Sequence, residues 1–321
     1  MIDALLFLRH DEMSTFPSLT DDQIQKYLDR IDLKVLDRNP SLALLDQLIL
    51  HHISHIPFEN GRLLLLKTPV SLAFDDIFNT LVTDRRGSYC FAQNSLFASV
   101  LLFFGFIVTP GFARVCVWNE SLELHETRGI THMILFVEIP GEASPLRLVD
   151  VGFGGNGLDR SIVIQKGARV ACSRVESHCI REASLIHGSK IVTGIPDQGF
   201  YLMHQRASGV TPPLGSDTDG WSPQFYFTLT PGIPNDYVIP NFYASHDPTF
   251  KFNLHLAVVI IKPNGRSTLS NRVFCKRSTE GEERVDIESL SQMTTILEQE
   301  FGIFLSLEEI ARLKVHLDLK A

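Results

Sequence analysis

The sequence predicts an α+β fold, and three observations carry that prediction. Apolar residues recur at helical spacing through the first hundred positions. From Phe106 onward they gather in short β-rich runs punctuated by Gly and Pro, and helical patterning returns near the C-terminus in "EIARLKVHL". At 321 residues and 44% hydrophobic, the chain is long enough for a large core and roughly two or three domains. The divisions fall at 1–108 (helical bundle), 109–222 (sheet or barrel) and 223–321 (mixed strands and helices).

Taken in order, Thr20 and Gln23 form a capping box ahead of Ile24, Tyr27, Leu28 and Ile31, which define a first helix ending near "DRNP". A second runs from Ser41 through Leu45, Leu48 and Ile49 to His52. It stops at "IPFEN", because Pro57 forces Ile56 out of the helical region. A third covers roughly Leu72 to Leu81. A fourth begins near Cys90, carries Phe97, Leu101 and Phe104 on the cysteine's own face, and ends at Gly105.

"FARVCVW", "HMILFVEI" and "LRLVDVGF" then read as strands. The glycines of "GFGGNG", Gly152 to Gly157, match G-x-G-x-x-G. The next residues, "LDRSIVIQKG", read as strand and turn instead of the helix a dinucleotide site requires, so these glycines are expected to form a turn. "KIVTGI" and "FYLMHQ" read as strands, and "RASGVTPPLGSDTDGWSP" as a long loop. "QFYFTLTP" and "LHLAVVIIKP" are strands again, and Ser306 with Glu309 caps the last helix.

Charge and composition narrow the function. With 29 basic against 37 acidic residues and a net charge of -8, the chain has no Lys/Arg block to track a phosphate backbone, so nucleic acid is not an expected partner. Its longest apolar stretch, Leu96 to Val108, holds 13 residues where a membrane span needs about 20. The start, "MIDALLFLRHDEM", lacks a basic leader and a small-residue cleavage site, so a cytoplasmic protein with no membrane partner is expected. Five cysteines at no metal-ligand spacing read as reduced thiols, with no metal site. P-loop, zinc-protease and serine-hydrolase strings are absent.

The chemistry points to three residues. A thiol nucleophile needs a base, and the base needs a third group to fix its tautomer and stabilise its cation. Cys90 at a helix N-terminus gains from unsatisfied N–H groups and the positive end of the helix dipole. His132 sits in "THMILFVEI", apolar on both alternating faces, and Asp150 sits in "LRLVDVGFGG", where a buried carboxylate requires a partner. Each also has a plain reading as core thiol, satisfied core histidine or structural ion. A simple hairpin turning near Ala143 would set His132 opposite a residue near Gly154 instead of Asp150. A bulge, a shifted register or another path is needed to join them.

The strings "YLDRI", "HISHIPFEN", "RRGSYC", "GFARV", "TH", "LVDVGFGG" and "NFYASHDPTFKF", in this order over nearly the whole chain, resemble the arylamine N-acetyltransferases. That family comprises CoA-dependent acyltransferases with a Cys-His-Asp triad. The resemblance implies a helical bundle, a central β-barrel and a C-terminal α/β lid, with Cys90, His132 and Asp150 as the triad. It implies Phe58 and Phe153 at an acceptor pocket, and Gly129, Tyr243 and Thr249 near CoA. It also implies an ion pair between Arg86 and Glu59, expected to hold the cysteine loop in place.

The implied reaction is ping-pong transfer of an acyl group from acyl-CoA to the nitrogen of an arylamine or arylhydrazine. The sequence leaves acetyl-, propionyl- and malonyl-CoA open as donors; Arg86 and Arg128 are the nearest cations in sequence for a malonyl carboxylate. Ser88 replaces a usual glycine, Ala92 a usual Glu or Gln, and Phe250 a small hydroxyl residue. Two rival readings remain: a transglutaminase-like thiol hydrolase or amidotransferase using the same triad, and a ligand-binding relative without turnover.

Overall fold

The computed structural model describes residues 16–141, 145–172, 175–183, 198–207 and 212–320. The capping box at Thr20 starts α1 (Asp21–Arg30), with the Thr20 side chain accepting from the Gln23 amide. Ser41 caps α2 (Leu42–His55), which runs three residues past His52 before Ile56 turns extended ahead of Pro57. The expected third helix is α4 (Phe74–Phe78) continued by a π-helical turn, Asn79–Thr83. The fourth expected helix, α5, spans Cys90–Phe103 and is followed by Gly105, whose φ of +81° suits glycine.

Two short elements were not expected from the sequence. Phe58 and Glu59 form β1, which pairs with β10 (Ala257–Lys262) across Phe58↔Val259 and Glu59↔Val258, and α3 (Gly61–Leu66) comes directly after it. "IPFEN" therefore does more than stop a helix: it stitches the N-terminal bundle to the C-terminal sheet.

Among the described residues, eight antiparallel strands form a barrel-like sheet in the order β5-β4-β3-β2-β9-β8-β7-β6. Its centre is the long pair β2 (Ile107–Asn119) and β3 (Leu124–Glu138), continued by β4 (Arg147–Val149) and β5 (Ile162–Val163). On the far side lie β6 (Arg169–Cys172), β7 (Glu176–Glu182), β8 (Phe200–Arg206) and β9 (Trp221–Pro231). The line drawn at 222 falls inside β9. "GFGGNG" is a turn, with the Gly157 amide bonded to the Gly154 carbonyl. The expected strand "KIVTGI", the leader reading of the first 13 residues and the turn at Ala143 lie outside the described residues.

The second sheet joins β1 and β10 to β11 (Gly265–Ser270), β12 (Val273–Ser278) and β13 (Gly281–Asp286), and α7 (Leu290–Phe301) and α8 (Leu307–Leu317) come after it. Between the sheets, α6 (Val238–His246) packs on β3. No helix of the described residues is long and apolar enough to cross a membrane.

Candidate active site

Cys90 is the first residue of α5, and Tyr89 before it provides no side-chain cap. The first-turn amides therefore stay free beside the thiol, which is 5% exposed. Helix periodicity predicts this placement, because the Leu101 and Phe104 face of α5 is buried in the bundle core.

His132 is paired with Ala113 in the β2/β3 ladder, and the next pair is Arg114↔Ile130, so Thr131 is left out as a bulge. The bulge brings the Thr131 carbonyl to 3.9 Å from Cys90 Sγ. The ladder between β3 and β4 runs Leu135↔Val149 to Val137↔Arg147. Continued past Val149, that register sets Gly152 opposite His132, which makes Asp150 its diagonal neighbour on the same face. The shift of register meets the geometric requirement read from the sequence. Asp150 Oδ2 lies 2.7 Å from His132 Nε2, and both residues are buried at 1% and 3% exposure.

With Nε2 committed to Asp150, Nδ1 is the ring nitrogen left for the sulfur. Burial acts against a charge on His132, but the Asp150 carboxylate and Cys90 outweigh it and push the imidazole up to about 10. Asp150 and Cys90 thus favour the charged form of the His132 ring.

Asn94, one turn after Cys90 on α5, was not singled out from the sequence and ties the site together. Its Nδ2 donates to Asp150 Oδ1 at 3.0 Å and to the Met133 carbonyl at 2.8 Å, and its Oδ1 accepts from the Val151 amide at 3.0 Å. The Gly152 amide also donates to Asp150 Oδ1 at 2.9 Å, which leaves Oδ2 for the histidine. A Cβ on Gly152 would lie 2.5 Å from Cys90 Cα, so only glycine lets the aspartate loop pass this close to the nucleophile. Gly154, at φ +70°, packs on the Phe58 ring in the same way.

Below the nucleophile, His52 Nε2 donates to Gln93 Oε1 at 2.8 Å and Tyr27 OH donates to His52 Nδ1 at 2.9 Å. Burial pushes His52 down to about 3, so it is a neutral strut. Gln93 Nε2 in turn donates to the Pro57 and Ser88 carbonyls. Arg86 forms the expected pair with Glu59, Nε to Oε1 at 2.8 Å, and gains a partner the sequence did not suggest: Glu309 of α8, at 2.7 Å from Nη1. All three are buried.

Phe153 meets the His132 ring edge-on at 5.2 Å, and Phe225 of β9, missed in the sequence, stands 5.2 Å from the same ring. Phe58 packs edge-on to Phe252 at 5.6 Å, and Phe252 stacks on Tyr89 at 5.5 Å. Gly129 lies on an exposed stretch of β3 with open space beside it. Tyr243 is on the outer side of α6 against Phe250, and exposed Thr249 bonds Asp247 Oδ1 through both its amide and its hydroxyl. The contacts of Tyr243 and Thr249 are with Phe250 and Asp247, and the structure does not bring these three residues together with the triad.

Comparison with known proteins identifies the family. The N-acetyltransferase family model matches residues 41–310. An arylamine N-acetyltransferase of Mycolicibacterium smegmatis is 30% identical over 277 residues, 86% of this chain and 90% of that protein. The solved arylamine N-acetyltransferase of M. tuberculosis superposes with a TM-score of 0.76 at 28% identity, covering 92% of this chain and 99% of that one. The Mycobacterium marinum arylamine N-acetyltransferase in complex with CoA gives 0.75 at 26% identity, covering 92% and 98%. The order of motifs, the register that joins His132 to Asp150 and these likenesses lead to one conclusion: the chain belongs to the arylamine N-acetyltransferase family.

Proposed function

We propose that the protein transfers an acyl group from acyl-CoA, through a thioester on Cys90, to the nitrogen of an arylamine or arylhydrazine. The observation that carries this reading is the convergence of a buried Cys90 with a buried His132 held by Asp150 at 2.7 Å. Cys90 Sγ attacks the thioester carbonyl, and the free amides at the start of α5 are the donors nearest the developing oxyanion. As the intermediate collapses, the carbon–sulfur bond to CoA breaks and the His132 imidazolium gives its proton to the departing CoA sulfur. The neutral imidazole then takes a proton from the amine as its nitrogen attacks the acyl-cysteine, and the Cys90 thiolate and the imidazolium are restored.

The acceptor ring is assigned to the aromatic wall of Phe153 and Phe58, joined by Phe225, where flat rings stack favourably. Gly129, Tyr243 and Thr249 are assigned to CoA. Acetyl-CoA is the proposed donor. Of the cations considered for a malonyl carboxylate, Arg86 is consumed by Glu59 and Glu309, while Arg128 is exposed and pairs with Glu126 at 3.2 Å. The compartment proposed is the cytoplasm, where acyl-CoA is at hand and thiols such as the five free cysteines stay reduced.

The test is a panel of acetyl-, propionyl- and malonyl-CoA with aniline and phenylhydrazine, run on wild type and Cys90→Ala. Wild type should turn over acetyl-CoA fastest, and C90A should show no turnover with an unchanged circular dichroism spectrum. Equal activity in C90A would end the mechanism.

A further inference from the structure

A second cavity, of about 340 Å³, lies behind the catalytic turn, and Gly87, Ser88 and Ala92 form the wall it shares with that turn. Ala92 stands two residues after Cys90, about 200° around the helix, so this cavity opens on the side of α5 facing away from the thiol. A small side chain at position 92 leaves the space open.

The chemistry of the lining is mixed in a specific way. Leu63, Val70 and Ile77 join Ala92 as an apolar wall. Ser88 is 5% exposed and its Oγ has no hydrogen-bond partner among the described residues, while its backbone carbonyl is taken by Gln93 and by the Glu59 amide. That hydroxyl, on a residue lining the cavity, is free to donate to or accept from a group bound there. Charge at the cavity is negative: Asp76, Asp84 and Glu59 stand against the single lining cation Arg62, which Asp84 holds at 2.8 Å. Glu59 shares its one arginine with Glu309, so that buried group keeps a net negative charge as well.

We propose that this cavity is a binding site, separate from the acyl-transfer cleft, for a small organic cation: an apolar ring or chain against Ala92 and Ile77, and an ammonium group toward Asp76 and Asp84. Its volume is in the range of small-molecule sites. A protonated aliphatic amine fits this description, whereas an aniline, neutral at pH 7, lacks the charge.

Benzylamine is the probe, with benzyl alcohol as its neutral counterpart, titrated into the full chain by calorimetry and two-dimensional NMR. The readout is independent of acyl transfer, so a protein inactive toward every acyl-CoA still tests the site. Expected are saturable binding of benzylamine, weaker binding of benzyl alcohol, and persistence of the amine at saturating acetyl-CoA. Ala92→Leu, which fills the cavity, should weaken binding by at least about tenfold, and the Asp76→Asn, Asp84→Asn double variant by about threefold or more. Should A92L fail to fold, Ser88→Ala removes one oxygen only and should still weaken binding. No saturable binding, equal affinity in the folded variants, equal affinity for benzyl alcohol, or displacement by acetyl-CoA would each overturn the proposal.

Discussion

Among the described residues, two buried cysteine–histidine contacts are chemical opposites. At the barrel's edge His178 Nδ1 lies 3.3 Å from Cys172 Sγ, with both side chains fully buried. There the other ring nitrogen donates to a backbone carbonyl, that of Asn156 at 2.8 Å, where His132 has the Asp150 carboxylate. Burial, with His204 nearby, pushes His178 down to about 3, and burial, with Asp159 adding to it, pushes the Cys172 thiol up. At the active site the histidine instead holds its proton up to about 10. The partner of the far ring nitrogen thus separates the two contacts: a carboxylate favours the charged imidazole, and a backbone carbonyl in a buried site does not hold it charged.

The contrast between the two contacts breaks most sharply at Asp150. Asp150→Asn should convert the first contact into a copy of the second, and the rate of CoA release in the first turnover should fall by about 10³ to 10⁴. Iodoacetamide labelling of Cys90 at pH 6 should slow in parallel. An unchanged labelling rate would mean that the carboxylate does not set the charge of the pair.

Asn94→Ala leaves Asp150 in place but removes the hydrogen bond from Asn94 Nδ2 to Asp150 Oδ1, together with those that Asn94 makes to the Met133 carbonyl and the Val151 amide. A loosely aimed carboxylate should cost about 10- to 100-fold in the acylation rate, with little change in the KM for the amine. A variant with wild-type acylation would show that the Gly152 amide suffices to orient Asp150.

The two histidines also pull stability in opposite directions with pH. His132, ordinarily near 6.5, is raised to about 10, so its contribution is complete below 6.5 and is lost as pH rises through 10. His178 and His52, lowered to about 3, contribute fully above 6.5, and that contribution is lost as pH falls toward 3. One such group changes stability by at most about 1.4 kcal/mol per pH unit. Urea titrations from pH 4 to 10 should show His132→Gln losing part of the alkaline slope while keeping the acid one. The same alkaline slope in both proteins would contradict the assigned charge.

Much of the site was legible in the chain because it rests on local signals. The capping boxes at Thr20 and Ser306, the helix beginning at Cys90 and the costly carboxylate at Asp150 are each read within a few residues. The hidden features depend on pairing across the chain. Glu309 reaches Arg86 over 223 positions, and β1 exists only because Val258 and Val259 lie beside it. Phe225 arrives with β9 from the other side of the barrel. Asn94 gave a weaker signal, a polar residue one turn from the cysteine on a buried helix, where an amide must find partners.

In the proposed mechanism Cys90, and not Cys172, is the acyl carrier. Incubating the protein with acetyl-CoA in the absence of amine, then digesting it and weighing the cysteine peptides, tests this directly. One acetyl group on the Cys90 peptide, none on the Cys172 peptide, and loss of the adduct when aniline is added is the predicted result. Acetylation at Cys172, or no thioester at Cys90 while aniline is still acetylated, would contradict it.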